Sequence, residues 1–230
     1  MRFFLLIISL TSVAFSYSNI SLFEKQRISG VITSNTSDDI VSSKEYYSLR
    51  HYIDTRDALY LVGFIYQPLQ NVGNTSLYSL PVEIKQKREK IELGAAYKIY
   101  LMDTLYIAPA IVYSHTDTTT YQELNNNGSI TTNITEGVDT DYSLYALMGY
   151  RATQTTSILT SLELKNDLLS SDYSKDYSSF QLNISMLQSV SRNVLLYFQY
   201  NRYLKDKPST DVHTGVKDVE GFSLGLGYRF

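Results

Sequence analysis

Apolar residues recur at every second position of this chain, in run after run. From Ile91 the stripe reads Ile91, Leu93, Ala95, Tyr97, Ile99, Leu101. Between them stand Glu92, Gly94, Ala96, Lys98 and Tyr100. A period of two is the signature of a strand with two unlike faces, and it is incompatible with an amphipathic helix of period 3.6. The same pattern returns in Leu105–Tyr113, Tyr142–Tyr150, Ile158–Leu164, Phe180–Met186, Val194–Tyr200 and Phe222–Phe230. The chain is therefore predicted to be all-β.

The breaks between runs alternate between short and long. Asp103-Thr104, Thr153–Thr155 and Ser189–Arg192 are short. Asp117–Asp139, Ser170–Lys175 and Lys205–Lys217 are longer and polar, the first of them containing Asn-Asn-Asn-Gly. Tight turns at one end and long loops at the other describe an antiparallel up-and-down transmembrane β-barrel. A strand of about 13 residues spans roughly 43 Å, and tilted by about 45° it covers the ~30 Å of a hydrocarbon core.

Ten strands are predicted, at about 23–35, 42–54, 57–68, 88–102, 104–116, 140–152, 156–168, 177–188, 193–205 and 218–230. An eight-stranded barrel beginning at Asp57 has the same parity. Either even number puts both chain ends on the periplasmic side. Leu59–Tyr66 (LYLVGFIY) is apolar on both phases, so its faces stay unassigned. Asn71–Lys87 reads as an outer loop, with Val82 and Ile84 able to extend the next strand.

A soluble β-sandwich or lipocalin-type barrel would also alternate, with its apolar stripe inward. What stands opposite the stripe separates the two. Here it is Gly, Ala, Ser and Tyr with scattered charges, too small and too sparsely charged for a water-facing surface. A narrow lumen needs such residues. A Lys facing lipid at mid-depth costs about 2–4 kcal/mol, which puts Lys98 inside.

The N-terminus supports export. Met1-Arg2 precedes the apolar run Phe3–Leu10, which fades into small residues up to Ser18. Residues 1–18 are predicted to be a signal peptide cut after residue 16 or 18, leaving 19–230 as one barrel domain. The apolar run is shorter than the ~20 residues of a spanning helix. With no Cys there is no lipid-modified N-terminal Cys, disulfide or thiolate metal site. The formal net charge of −3 and the lack of a basic stripe argue against a nucleic-acid partner. The 21 Tyr and 9 Phe, without Trp, suit pleated surfaces and membrane–water interfaces.

The ending Gly-Leu-Gly-Tyr-Arg-Phe resembles the last strands of small bacterial outer-membrane barrels of the OmpX and OmpA type. Ala96-Tyr97-Lys98-Ile99-Tyr100 with the Asp103-Thr104 turn is similar to a central hairpin of such barrels. The resemblance implies that Phe222, Leu224, Leu226, Tyr228 and Phe230 form the C-terminal signal read by the outer-membrane assembly machinery. It also implies a Gram-negative outer-membrane location. The expected partners are membrane lipid and lipopolysaccharide, with the assembly machinery and periplasmic chaperones during biogenesis.

Seven charged residues fall on the inward phase: Arg50, Glu92, Lys98, Arg151, Glu163, Lys165 and Arg229. Buried charges must be paired, so they are expected to form a polar network that plugs the lumen. The competing reading is a narrow solute path of mixed charge. The three His (51, 115 and 213) sit at different depths. His115 is on the lipid-facing phase beside a Thr run that offers no base. Asp38, Asp39, Asp117, Asp139 and Asp141 read as solvated rim acids rather than catalytic or calcium-binding groups. The Gly225-Leu-Gly227 spacing lacks the following helix that a phosphate loop needs, and reads as inward strand positions.

The sequence thus predicts a non-enzymatic outer-membrane barrel with no cofactor and no metal. Its outer loops would be exposed, possible contacts for an extracellular ligand, and its lumen plugged by charge. A porin-like channel for small solutes is the alternative, and a rim hydrolase a more distant one.

Overall fold

The computed structural model describes residues 18–34, 40–77, 80–126, 129–166, 178–203 and 214–230. The strands are β1 (Ser18–Ser34), β2 (Ile40–Asp54), β3 (Ala58–Leu77), β4 (Leu80–Tyr97), β5 (Ile99–Met102), β6 (Leu105–Asn126), β7 (Ser129–Arg151), β8 (Thr156–Asn166), β9 (Ser178–Ser189), β10 (Val194–Tyr203) and β11 (Thr214–Arg229). β4 and β5 are one stave interrupted at Lys98. Each strand pairs antiparallel with its neighbours, β1 pairs with β11, and β4 pairs with β6. The result is a closed barrel of ten staves. The eight-strand alternative fails because β1 and β2 are full members of the ring, paired from Ser18 opposite Asp54 to Ile32 opposite Ile40. Residues 1–17, with the predicted signal peptide's apolar run, lie outside the described residues.

The start of β1 and the end of β11 meet at one rim, where the Phe230 amide donates to the Asn19 carbonyl at 3.0 Å. The tight turns lie at that same rim. At the first, the Thr55 amide and hydroxyl both donate to the Ala58 carbonyl at 2.9 Å.

The faces follow the sequence alternation. Phe23, Leu93, Ile111, Leu144, Leu162, Ile184, Phe198 and Leu224 all point outward, and Leu224 is 60% exposed. A continuous exposed apolar band around a closed barrel needs an apolar surrounding. Aromatic pairs mark its edge nearer the long hairpins: Tyr113 with Tyr142 at 5.2 Å and Tyr200 with Phe222 at 5.1 Å between ring centroids. At the turn rim Tyr228 packs edge-on to Phe230 at 4.9 Å. These are girdle positions, where a ring can be in lipid and a hydroxyl in water.

In β3 the ambiguous segment resolves: Leu59, Leu61, Gly63, Ile65 and Gln67 face the lumen, and Tyr60, Val62, Phe64 and Tyr66 face out. The segment is apolar on both phases because its inner side lines a cavity.

Two predicted outer loops are strands. Asn71–Lys87 continues the β3–β4 pairing as far as Leu77 opposite Leu80, with register shifts at 67/70 and 71/73. Asp117–Asp139 continues the β6–β7 pairing without a shift to Asn126 opposite Ser129. β4 and β6 stay paired to Val82 opposite Leu124, so β3, β4, β6 and β7 rise together as one four-stranded blade beyond the ring. The polar composition that suggested loops reflects exposure to water on both faces: residues 129–140 are all exposed, though fully extended. Residues 204–213 of the last predicted loop lie outside the described residues, and 214–217 belong to β11.

Candidate functional site

Inside the ring, inward side chains from β1, β2 and β4 converge on one guanidinium. Arg50 Nη1 donates to both carboxylate oxygens of Glu24, at 3.3 and 3.2 Å, and Arg50 Nε donates to Glu92 Oε2 at 3.2 Å. Lys90 Nζ meets the other Glu92 oxygen at 2.8 Å. The Glu24 side chain is 1% exposed. The strand between, β3, contributes Gly63, whose missing Cβ would sit 3.2 Å from Glu92 Oε2 and 3.3 Å from Arg50 Cγ. A larger residue there would push into the ion pair. Tyr145 and Tyr197 line the same cavity as the guanidinium. Two carboxylates and two cations held this way leave no net charge, the condition for keeping ions out of water.

Below the cluster, toward the turn rim, bulk fills the lumen. Leu22 is 2% and Leu195 1% exposed. Small residues opposite make room: a Cβ on Gly227 would lie 2.5 Å from Leu22 Cδ2, and one on Gly149 would lie 2.2 Å from the Tyr106 ring. A cavity of about 360 Å³ runs past the cluster, from Gln67, Arg88 and Asn201 on the long-hairpin side to Leu59, Ala96 and Leu147 toward the turn rim.

The other predicted lumen charges are not gathered into this cluster. Glu163 lines the cavity opposite Tyr145 on the neighbouring strand. Lys98 is inward and buried, but it belongs to the turn rim. Its Nζ pairs with Asp54, donates to the Thr55 carbonyl at 2.8 Å and stands 5.3 Å over the Tyr106 ring. It breaks the β4–β5 stave to tie the first turn to the floor. Lys98→Met should therefore destabilise the folded barrel by only about 0.5–1.5 kcal/mol, the net worth of a lost hydrogen bond, read from its urea midpoint, because Asp54 keeps access to water. Arg151 is exposed where β7 ends. Its backbone amide donates to the Thr104 carbonyl at 2.8 Å. Being at the rim, it reaches water and needs no lumen partner. Arg229 is half-buried at the same rim, its carbonyl accepting from Asn193 Nδ2 at 2.8 Å. The backbone of Lys165 lies in β8 opposite Ser143, and its side chain lies outside the described residues. Phe222, Leu224, Leu226, Tyr228 and Phe230 form a single exposed outward stripe on and just beyond β11.

Among the described residues, His115 and His51 lie at opposite ends of the barrel. His115 faces out near the blade, 3.5 Å from Asp117 Oδ1 and 3.5 Å from the Thr140 hydroxyl. His51 is near the turn rim, hydrogen-bonded to the Ser21 hydroxyl at 2.8 Å and edge-on to Phe230. Asp139 and Asp141 are in β7; Asp38, Asp39 and His213 lie outside the described residues. Among the described residues no three His, Cys, Asp or Glu gather as metal ligands.

No protein-family model matches the chain, and no curated protein matches it in sequence. Solved structures do match in shape. An outer-membrane channel from Pseudomonas putida F1 superposes with a TM-score of 0.53 at 12% identity, over 95% of this chain and 97% of that one. The fold is that of an outer-membrane β-barrel. The translocator domain of the autotransporter NalP from Neisseria meningitidis gives 0.49 at 9% identity, over 100% and 94% of the two chains. Ail, the attachment invasion locus protein of Yersinia pestis, gives 0.38 at 12%, over 93% and 97%.

Glu24 and Lys90 are charged members of this cluster that the predicted lumen network lacks. Both fall inside predicted strands, 23–35 and 88–102, where Glu24 alternates with Phe23 and Lys25, and Lys90 with Ile91. That alternation was the available signal. On the outer face of the blade, ion pairs replace apolar contacts. Lys85 Nζ lies 2.7 Å from Glu123 and 3.4 Å from Glu83, and Lys87 lies 2.6 Å from Glu89. The hydrogen bond to Glu123 holds the Lys85 ammonium above its ordinary pKa.

Proposed function

We propose that this chain is a non-enzymatic barrel of the bacterial outer membrane that does not conduct, and that serves to stabilise the envelope and present the β3–β4–β6–β7 blade outward. The observation that carries the reading is the neutral ion cluster inside the ring: Glu24, Arg50, Glu92 and Lys90 pair with one another, and Leu22, Leu195 and Tyr106 narrow the lumen toward the turn rim. At this strand number side chains can fill the interior.

Residues 1–18 would direct export, with Phe222, Leu224, Leu226, Tyr228 and Phe230 read by the assembly machinery after periplasmic chaperones deliver the chain. Lipopolysaccharide would surround the outer girdle. In planar bilayers the purified barrel is expected to give no steps of single-channel current. Reproducible conductance in the wild-type protein would establish the second reading, a narrow channel, which the cavity running past the cluster favours.

A further inference from the structure

We infer that the upper lumen is a binding cup for a monosaccharide-sized, hydroxyl-bearing solute with one anionic group. The cavity of about 360 Å³ is within the range of ligand pockets, about 300–1,000 Å³. It runs past the Arg50–Glu92 pair and is lined wholly by described side chains.

Strand register sets inward polar residues side by side across neighbouring strands. Arg88 pairs across with Gln67. Tyr46 stands opposite Gln26, Gln26 opposite Ser223, and Ser223 opposite Gln199. Asn201 is one inward step above, opposite Gly221. Several of these groups are buried without a hydrogen-bond partner. Gln67 is 0% exposed; its Nε2 donates to the Gln86 carbonyl at 3.3 Å, yet its Oε1 accepts nothing. Asn201 is 1% exposed and neither end of its amide is paired. Ser223 Oγ and Arg88 Nε are likewise unpaired. Buried polar groups are seldom left so unless something else satisfies them.

What is free defines what fits. An amide offers donor and acceptor side by side, which matches a hydroxyl. Leu61 and Ile65 on the β3 wall offer an apolar strip for the C–H face of a sugar ring. Arg50 and Lys90 are neutralised by Glu24 and Glu92. Arg88 has no carboxylate partner among the described residues, and Lys44 brings a second positive charge toward it from β2. A carboxylate or phosphate on the solute would complete that corner with a charge-assisted bond.

Isothermal titration of the full-length barrel, refolded in detergent micelles, tests this with glucuronate, glucose and inorganic phosphate as probes. Glucuronate is expected to bind saturably in the millimolar range and about tenfold tighter than glucose, which corresponds to ~1.4 kcal/mol. Arg88→Gln should erase that difference, and Asn201→Ala should weaken both sugars several-fold. Heat-modifiable gel mobility shows that each variant is folded. Absence of saturable binding by either sugar would overturn the cup. Equal affinity for the two sugars, or an Arg88→Gln protein that still prefers glucuronate, would overturn the anionic part. Phosphate binding as tightly as glucuronate would overturn the sugar part. None of these outcomes bears on conductance, so the proposed plug stands or falls separately.

Discussion

Arg50→Met is expected to destabilise the barrel by about 3–5 kcal/mol, the largest loss for any single lumen side chain. The wild-type guanidinium answers two carboxylates at 3.2–3.3 Å, one of them on a side chain only 1% exposed. Removing it leaves Glu24 with no cation in reach among the described residues, and an uncompensated buried charge costs that much. Glu92 keeps Lys90 at 2.8 Å and suffers less. The triple variant Glu24→Gln, Arg50→Met, Glu92→Gln should recover most of the loss, because replacing a whole buried ion set is often near neutral. The measurement is the urea midpoint of the heat-modifiable gel band in lipid vesicles. A single variant as stable as wild type would mean that water reaches Glu24, and the lumen is then not plugged.

The same cluster shows how much could be read from sequence. Alternation separates inner from outer faces in Glu45–Asp54 and from Ile91 onward, because a lipid-facing stripe tolerates almost no exception. Arg50 and Glu92 were placed inside on that ground. Their meeting was not legible, since it depends on Gly63 leaving space between strands two apart. The sequence around Gly63 is apolar on both phases and carries no facing signal of its own. Lys98 and Arg151 share the inward phase with Arg50 but not its depth. Alternation reports a face and says nothing about distance from the rim. The blade was missed for a related reason. Above the membrane both faces of β6 and β7 meet water, the two-residue stripe disappears, and Thr and Asn in a paired strand look like Thr and Asn in a loop. Among the described side chains of the blade, Val82, buried at 6%, marks an inner face.

The seam between β1 and β11 gives the other large prediction, from two neighbouring residues that fail in different ways. Gly225 faces in, and a Cβ there would lie 2.6 Å from the Phe23 carbonyl oxygen and 3.0 Å from Glu24 Cγ. The nearer obstacle is backbone of the closing strand, which cannot rotate away. Gly225→Val should therefore force β11 off β1 at the level of Glu24, at or above the ~3 kcal/mol upper range of overpacking. It should leave little or no heat-modifiable band in detergent and in lipid alike. Leu224 faces out and is 60% exposed, with room for any side chain. Leu224→Lys should close normally in detergent micelles, where the ammonium reaches water. In bilayers it should lose about 2–4 kcal/mol, the cost of a Lys on the lipid face near mid-depth. One substitution is thus insensitive to the surrounding solvent and the other is governed by it. Equal penalties for Leu224→Lys in micelle and bilayer would mean that the exposed stripe of β11 does not face hydrocarbon.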